Sequence, residues 1–472
     1  MSREKELVKS TAVIGLGKLL PRFVSLITLP ILTACFTKSQ YGSYDLITTM
    51  VALLMPFATL QIQAAAFRFL IECRKDHVGS SEIISNIYMV VVPVSFVVSV
   101  GVFIFMPEMD APTRFAVAVY FFLDSIEITA AQIARGLGKT KVFAVSSIVL
   151  SVVNGLGIVA ALKMIDSGLL GVVWSLALAN AVAFIYLSIR TRIWTFIKLN
   201  MVSKSKLKEL LSYSWPIVPN ALSNWILKLS DRLVITGFMG VEANAVYAVA
   251  NKIPNLLSIA HTVLIMAWQE NASIAVKDQD ASEYYTKMFD KILRMMAGAT
   301  ALLIAFTPVL FALLIKGDYD DAYVQMPILV LAMFFYVMSA FQGGIYVAHK
   351  KTKSIGVTTI LAALINLLID LIFVNLIGIT AGSISTLVAY MFLYFYRMYD
   401  LRKFQPMKIN VRTQVICLAI IVGMLFLCFL RIWYLDAINM ALGIVVFCVM
   451  NKDLILTVMK KMKKMFRRRK SG

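Results

Sequence analysis

Residues 357–377 read VTTILAALINLLIDLIFVNLI, an apolar stretch with one ionisable side chain, Asp370. A helix of this length rises about 30 Å, which matches the hydrocarbon thickness of a bilayer. Lys350, Lys351 and Lys353 come shortly before it, and the connection after it, 376–379, carries no charge. The stretch therefore predicts a transmembrane helix whose first end faces the basic side of the membrane.

The same pattern recurs along the whole chain. Apolar windows of about 20 residues centre near residues 22, 54, 94, 124, 152, 179, 224, 256, 303, 336, 366, 389, 422 and 443. The 472 residues are 60% hydrophobic and 15% charged, with a mean hydropathy of +0.81, which excludes a soluble globular protein. We expect an all-α polytopic membrane protein with about 14 transmembrane helices.

The basic residues predict the orientation of the chain. Most of the 46 lysines and arginines fall in every second connection, and these connections are expected to be cytoplasmic, together with both ends of the chain. The net charge of +20 then reflects topology and attraction to anionic membrane lipids, and no nucleic-acid partner is expected. The tail from Lys460 to Lys470 fits such a contact with the lipid surface.

An internal repeat organises the sequence. Gly138-Lys-Thr-Lys141 recurs as Lys350-Lys-Thr-Lys353 at an offset of 212 residues, and Asn154 falls on Asn366 at the same offset. A glycine-containing turn follows in each copy, at 168–171 and at 378–382. Two six-helix halves that both start in the cytoplasm are the simplest explanation, since parallel repeats of this kind build many transporters. The cleft between the halves is the expected substrate path.

These observations predict five segments. They are an N-terminal six-helix lobe at 1–190, a basic cytoplasmic linker at 191–210, a C-terminal six-helix lobe at 211–400, two accessory helices at 411–450 and a basic cytoplasmic tail at 451–472.

Charged residues inside the apolar windows are the candidates for function, because a charge at mid-bilayer costs about 3 kcal/mol. Lys18 and Arg22 flank Pro21 at four-residue spacing, and Arg22 lies about 18 Å into its helix if that helix enters the membrane near Ser10. The predicted anion-binding set, which suits a phosphate or diphosphate, is Lys18, Arg22, Lys228, Arg232 and Lys252. The alternative for Arg232 and Lys252 is structural pairing with Asp231.

Carboxylates in the windows form a second set. Asp124 and Glu127 lie three residues apart, and Asp231 and Asp370 lie in other windows. Such groups can carry protons or bind cations. They could couple transport to a proton or sodium gradient, or Asp124 and Glu127 could be counter-ions of Lys18 and Arg22. Arg68 and Glu72 are expected to form a local salt bridge.

Little in the sequence favours an enzyme. There is no Gly-rich phosphate loop and no cluster of Cys or His residues, so neither ATP hydrolysis nor a metal cofactor is expected. Asp318-Tyr-Asp320-Asp321 is similar to the acidic motif of glycosyltransferases, but a solvated turn is the favoured interpretation.

The chain resembles the polysaccharide repeat-unit flippases of the multidrug/oligosaccharidyl-lipid/polysaccharide exporter superfamily. The resemblance lies in Tyr213-Ser-Trp-Pro-Ile-Val-Pro-Asn220, Ser230-Asp231-Arg232, Tyr247, Lys252-Ile-Pro254, Trp268 and Ala348-His-Lys-Lys-Thr-Lys353. It implies a MATE-like fold and a cationic cavity that maps onto Lys18, Arg22, Arg232 and Lys252, with Lys228 less directly placed.

The resemblance also implies a function. Undecaprenyl-diphosphate-linked oligosaccharide would move from the inner to the outer leaflet of a bacterial cytoplasmic membrane for capsule, O-antigen or exopolysaccharide synthesis. Polysaccharide polymerase and the initiating glycosyltransferase are the partners that this context suggests. A lipid II flippase and a multidrug or cation antiporter are alternatives in the same superfamily, and an integral-membrane glycosyltransferase or polymerase is the alternative outside it.

Overall fold

The computed structural model describes residues 3–106, 109–276, 278–452, 455–456 and 459, and within this part the chain is helical and contains no β-strand. The predicted basic tail lies mostly outside the described residues. The first nine helices are α1 (Arg3–Cys35), α2 (Lys38–Thr59), α3 (Ile62–Glu72), α4 (His77–Ile104), α5 (Ala111–Gly136), α6 (Thr140–Val159), α7 (Gly168–Thr191), α8 (Lys204–Ser214) and α9 (Ile217–Met239). The all-helical fold predicted from the apolar windows is confirmed.

The second nine helices follow with short connections. They are α10 (Val241–Ala250), α11 (Asn255–Ala275), α12 (Ala281–Ala305), α13 (Thr307–Leu314), α14 (Asp320–Ala348), α15 (Thr352–Ile377), α16 (Thr380–Leu401), α17 (Val411–Phe429) and α18 (Trp433–Met450).

By length and composition, eight helices of the described chain can cross a membrane, and two bent pairs, α2 with α3 and α12 with α13, raise the number to ten. The other four predicted windows coincide with α1, α9, the α10–α11 pair and α16. In α1 the segment Leu20–Cys35 is apolar but shorter than a full span, and α9 carries three charged residues. The protein is thus a multi-pass membrane protein, and fourteen crossings remain a prediction.

Three of the predicted windows are broken. The second bends by 53° where Leu60 and Gln61 adopt left-handed backbone angles, and the ninth bends by 59° between α12 and α13. The eighth window, centred near residue 256, includes the irregular residues between Ala250 and Asn255, where Pro254 supplies no backbone donor. Windows two and eight are each the second window of a predicted half, but their breaks, at 60–61 and 251–254, do not fall at matching positions of the repeat.

The contacts between helices divide the chain into two compact units, 1–245 with 314–317, and 246–313 with 318–472. In the first unit α7 packs against α5 and α6, and α1 packs against α6. In the second unit α16 packs against α14 and α15 in the same way. The lobes predicted at 1–190 and 211–400 remain a prediction, although residue 211 falls inside α8 and α9 groups with the first unit.

The repeated turns have the same backbone geometry. Gly138 and Lys350, 212 residues apart, adopt φ values of 79° and 57°. Each turn is closed by an equivalent hydrogen bond, from Lys139 N to Ala134 O at 2.8 Å and from Lys351 N to Tyr346 O at 2.9 Å. A left-handed residue with such a bond ends a helix, so α5 and α14 terminate alike.

The repeated asparagines also find equivalent partners. Ser175 Oγ contacts Asn154 Oδ1 at 3.3 Å, and Asn366 Nδ2 donates to Ser385 Oγ at 3.1 Å. The first copy is two residues longer between the paired positions, and it contains a π-helical turn at Ala160–Met164 where α15 stays α-helical. The sequence repeat therefore corresponds to a structural repeat in the two units.

The last two helices pack against α12. Gly443 allows close contact, because a Cβ there would lie 2.7 Å from Ala305 Cβ, and Asn439 Nδ2 donates to Met424 O at 3.1 Å. Only 11% of the apolar window of α18 is buried, which fits a helix whose outer faces meet lipid.

Candidate functional site

Helix α1 presents three different faces. Phe23 and Ile27 are exposed and form a lipid-type face. A second face meets α6, where a Cβ on Gly155 would lie 2.7 Å from Val24 Cγ1. Arg22, which is half-buried, shares the third face with Leu29, which is buried.

This third face is turned toward protein rather than lipid. Thr33, eleven residues after Arg22 and on the same side of the helix, is also buried and accepts a hydrogen bond from Lys316 N at 3.0 Å. Lys18 lies one turn before Arg22 on that face, but its side chain lies outside the described residues. Arg22 is therefore half-buried on the face of α1 that is turned toward protein, where a charged residue inside a membrane span is expected.

Helix α9 carries three of the predicted site residues. Lys228 is exposed, Asp231 is buried and Arg232 is partly buried. Arg232 Nη1 lies 3.3 Å from Asp45 Oδ1 on α2 and 3.3 Å from Thr49 Oγ1. The α2–α9 contact, as we name it, comprises Asp45, Thr49, Trp225 and Arg232.

Trp225 completes this contact by donating its indole N–H to Thr49 O at 3.2 Å. Asp45 on the neighbouring helix α2 is a carboxylate that the sequence analysis did not include among the possible partners of Arg232. Asp45 is buried, and an isolated charge there would be costly, so the pairing with Arg232 offsets both charges. Arg232 thus has a buried carboxylate partner on α2, and its role toward substrate remains a prediction.

Asp45 was missed because it lies at the edge of the second apolar window, where it could belong to the connection. The signal that could have revealed it is its place one turn before Thr49, on the same side of a helix that already begins at Lys38. The backbones at Gly42 and Val241 approach closely here, since a Cβ on Gly42 would overlap Val241 O. Asn244 Nδ2 also donates to Gly42 O at 3.3 Å.

Lys252 lies at the break between α10 and α11. It is half-buried, and its backbone N–H bonds to Val249 O at 3.0 Å rather than continuing a regular helix. Irregular backbone at membrane depth is tolerated where it is buried in protein or lines a water-filled cavity. Discontinuous helices of this kind commonly form binding sites in transporters.

The predicted carboxylates are in protein interiors. Glu127 is buried and Asp124 half-buried on one face of α5, while Asp370 is buried on α15 in the second unit. Their roles as coupling groups or counter-ions remain predictions. Arg68 and Glu72 form the expected salt bridge at 2.5 Å, with both side chains exposed.

The acidic motif after the ninth window is part of a helix. Asp320 and Asp321 form the first turn of α14, where carboxylates favour the helix dipole, and Asp320 lies 3.6 Å from Arg431. This structural role fits the favoured interpretation of the motif better than a metal-sugar site.

Arg397 on α16 is a buried cation that the sequence did not single out. Its side chain donates to Thr358 Oγ1 at 3.1 Å, to Ser339 O at 3.0 Å and to Thr359 Oγ1 at 3.2 Å. It also reaches Ile355 O at 3.4 Å, so one guanidinium joins α14, α15 and α16. Its place near the end of a window made it look like a cytoplasmic residue.

The fold and the buried charges define the class, a multi-pass α-helical membrane protein with polar groups inside its spans. The chain belongs to the polysaccharide biosynthesis protein family, whose model matches residues 7–269, more than half of the sequence. No protein with a curated description matches it.

Solved structures with the same fold are transporters. One is a lipid II flippase, MurJ, in an inward closed conformation, with a TM-score of 0.72 and 13% identity over 95% of this chain and 100% of that one. A multidrug resistance MATE family transporter of the MOP superfamily, in an inward-facing conformation, has a TM-score of 0.62 and 15% identity over 82% of this chain and all of its own.

A third is a MOP superfamily transporter from Pyrococcus furiosus, with a TM-score of 0.56 and 14% identity over 83% of this chain and 95% of its own. These likenesses confirm the MATE-like fold that the resemblance implied, and the neighbours are transporters and a flippase rather than enzymes.

Proposed function

We propose that this protein is a flippase that moves an undecaprenyl-diphosphate-linked oligosaccharide from the inner to the outer leaflet of a bacterial cytoplasmic membrane. The product would supply capsule, O-antigen or exopolysaccharide synthesis. The observation that carries the proposal is the family match over 7–269, which includes all five predicted anion-binding residues.

Arg22 is the first choice for the diphosphate. It lies deep in α1, on the face that Leu29 and Thr33 turn toward protein, and a guanidinium can hold two phosphate oxygens at once. Lys18 and Lys228 are point charges that would extend the site. Arg232 is assigned a supporting role, because Asp45 already offsets its charge.

The cations would replace water around the diphosphate, which otherwise resists transfer through the hydrocarbon layer. The polyprenyl tail would stay in lipid during this step. No cofactor enters the proposal, and a proton or sodium gradient acting through Asp124, Glu127, Asp231 or Asp370 would drive it. Both chain ends would be cytoplasmic, with a polysaccharide polymerase and the initiating glycosyltransferase as partners.

Lipid II transport is the second candidate. The likeness to a lipid II flippase structure over 95% of this chain favours it, and both substrates share the diphosphate chemistry. The two substrates differ in the attached sugars, which the diphosphate-binding cations would not contact.

The deciding experiment measures the leaflet distribution of lipid-linked oligosaccharide in a strain that lacks this protein. An impermeant sugar-modifying reagent labels only the outer leaflet, so complete but unlabelled intermediate is expected to accumulate and to disappear on complementation. Normal labelling of oligosaccharide with loss of lipid II labelling would favour the second candidate. Incomplete oligosaccharide would indicate an enzyme and contradict transport.

The Arg22→Ala variant tests the site within the same assay. We expect membrane levels like those of the unchanged protein and a loss of flipping of at least about tenfold, since a charge-assisted bidentate contact would be lost. Arg22→Lys should retain part of the activity. Phe23→Ala, on the exposed lipid-type face, is the matched control and should be fully active. Full flipping activity of the Arg22→Ala variant would show that the Arg22 side chain is not part of the diphosphate site.

A further inference from the structure

The segment between α7 and α9 carries a stripe that the proposed function does not use, with its lysines and tryptophan exposed and its two leucines half-buried. Residues at helical spacing along α8 line a groove of about 460 Å³: Lys204, Leu207, Lys208, Leu211, Ser212 and Trp215. We name this set the α8 stripe. Residues three or four apart share one side of a helix, so the two lysines lie in one row and the two leucines and the tryptophan lie in the row beside it.

The α8 stripe is held in a fixed place on the first unit. Asn86 of α4, fully buried, donates to Met201 O at 3.2 Å and accepts from Ser203 N at 3.1 Å. Ser85 accepts from Lys198 N at 2.9 Å and donates to Phe196 O at 3.1 Å. These bonds tie both the start of α8 and the chain before it to α4.

The attachment places α8 at the level of the membrane surface. Asn86 lies in the first, more polar part of α4, one turn after Glu82, and the apolar run that lets α4 cross a membrane follows it. Large apolar side chains of this segment are exposed: Trp194 at 56% and Leu199 at 81% before the stripe, and Trp215 at 56% within it. Exposed tryptophans beside basic residues are typical of the lipid–water interface.

The charge of the stripe is not balanced by protein. Lys206, on another side of α8, bonds to Glu209 at 2.8 Å. Lys204 and Lys208 are exposed, and neither forms a salt bridge within the part of the chain that the structure describes. The groove between the two ammonium groups and the apolar residues thus offers positive charge beside a hydrophobic wall.

We propose that the α8 stripe is a binding site for the headgroup of an anionic phospholipid of the bilayer. Lys204 and Lys208 contact the phosphate, Leu207 and Leu211 meet the start of the acyl chains, and the Trp215 ring lies at headgroup depth. A phosphate needs opposite charge, and the acyl chains need an apolar surface in direct continuity with it. The stripe provides both on one rigid helix, and it does so whichever substrate is transported.

Native mass spectrometry of the full-length protein in detergent tests this site. Phosphatidylglycerol is added to the purified protein, and phosphatidylcholine is added separately as the neutral lipid. We expect at least one phosphatidylglycerol to bind in preference, and K204A/K208A to lose one such lipid with roughly thirtyfold weaker binding. K198A/K206A removes two positive charges from outside the stripe and should retain it.

Three results would overturn the proposal. They are equal phosphatidylglycerol binding by K204A/K208A and the unchanged protein, equal losses in the two double variants, and displacement of the lipid from the stripe by an equimolar amount of undecaprenyl phosphate. The last would assign the stripe to the substrate path. Matching unfolding temperatures of both double variants in lipid-free detergent would show that these exposed substitutions leave the fold intact.

Discussion

At the scale of single residues, the pair Asp45–Arg232 decides how a predicted site cation is interpreted. Both groups are largely buried, with side-chain exposures of 3% and 13%, so each would be costly alone. Thr49 adds a hydroxyl acceptor to the same guanidinium. Arg232 therefore stabilises the packing of α2 on α9 before any substrate is considered.

A double-mutant cycle tests this assignment. Asp45→Ala and Arg232→Ala are each expected to lower the free energy of unfolding by about 3 kcal/mol, because the remaining partner stays buried and charged. The double variant should cost clearly less than the sum of the two. Denaturant titration in micelles measures all three values.

The exposed pair Arg68–Glu72 provides the control. Its ion contact is shorter, at 2.5 Å, but both side chains are more than half exposed, so its coupling should stay within about 0.5 kcal/mol. Equal coupling energies in the two pairs would show that burial does not govern the α2–α9 contact.

At the scale of helices, Arg397 holds three elements of the second unit together. Its four hydrogen bonds reach α14 and two turns of α15, and all their acceptors are hydroxyls or carbonyls. A lysine could not reproduce this arrangement, because an ammonium group lacks the planar fork of guanidinium.

We expect Arg397→Ala to lower the free energy of unfolding by about 2–4 kcal/mol, through lost hydrogen bonds and a cavity. Arg397→Lys should recover only part of this. Arg402 is exposed just after α16, and Arg402→Ala should change stability by less than about 0.5 kcal/mol. If Arg397→Ala were as stable as the control, the proposed linkage of the three helices would be wrong.

At the scale of the whole molecule, the duplication offers a comparison within one chain. The turn after α5 has glycine in its left-handed position, whereas the equivalent turn after α14 has Lys350 there, at φ 57°. A left-handed conformation costs an ordinary residue about 1 kcal/mol, and glycine avoids that cost.

Introducing glycine in one turn and removing it from the other should therefore change the free energy of unfolding in opposite directions. Lys350→Gly is expected to raise the free energy of unfolding by about 0.5–1 kcal/mol, and Gly138→Ala to lower it by about 1 kcal/mol. Unfolding of the two variants beside the unchanged protein measures both signs in one experiment. A stabilising Gly138→Ala would mean that the two turns are not equivalent.

The sequence by itself determined the properties that depend on composition and spacing along the chain. Apolar windows predicted the helices, and the match of Gly138-Lys-Thr-Lys141 with Lys350-Lys-Thr-Lys353 predicted an internal repeat, whose two turns have the same hydrogen bonds. Scattered motifs such as Ser230-Asp231-Arg232 indicated the family. Such signals are local, because bilayer thickness sets the helix length and helix termination depends on a few neighbouring residues.

Only the tertiary structure decided which buried charges meet. Asp45 and Arg232 are 187 positions apart, and Arg397 reaches residues 38 to 58 positions away, so no local spacing could reveal either contact. The broken windows at Leu60 and Pro254 were also hidden, because hydropathy averages over a break. Pairing of polar groups inside a membrane depends on which helix faces touch, and helix packing alone determines that.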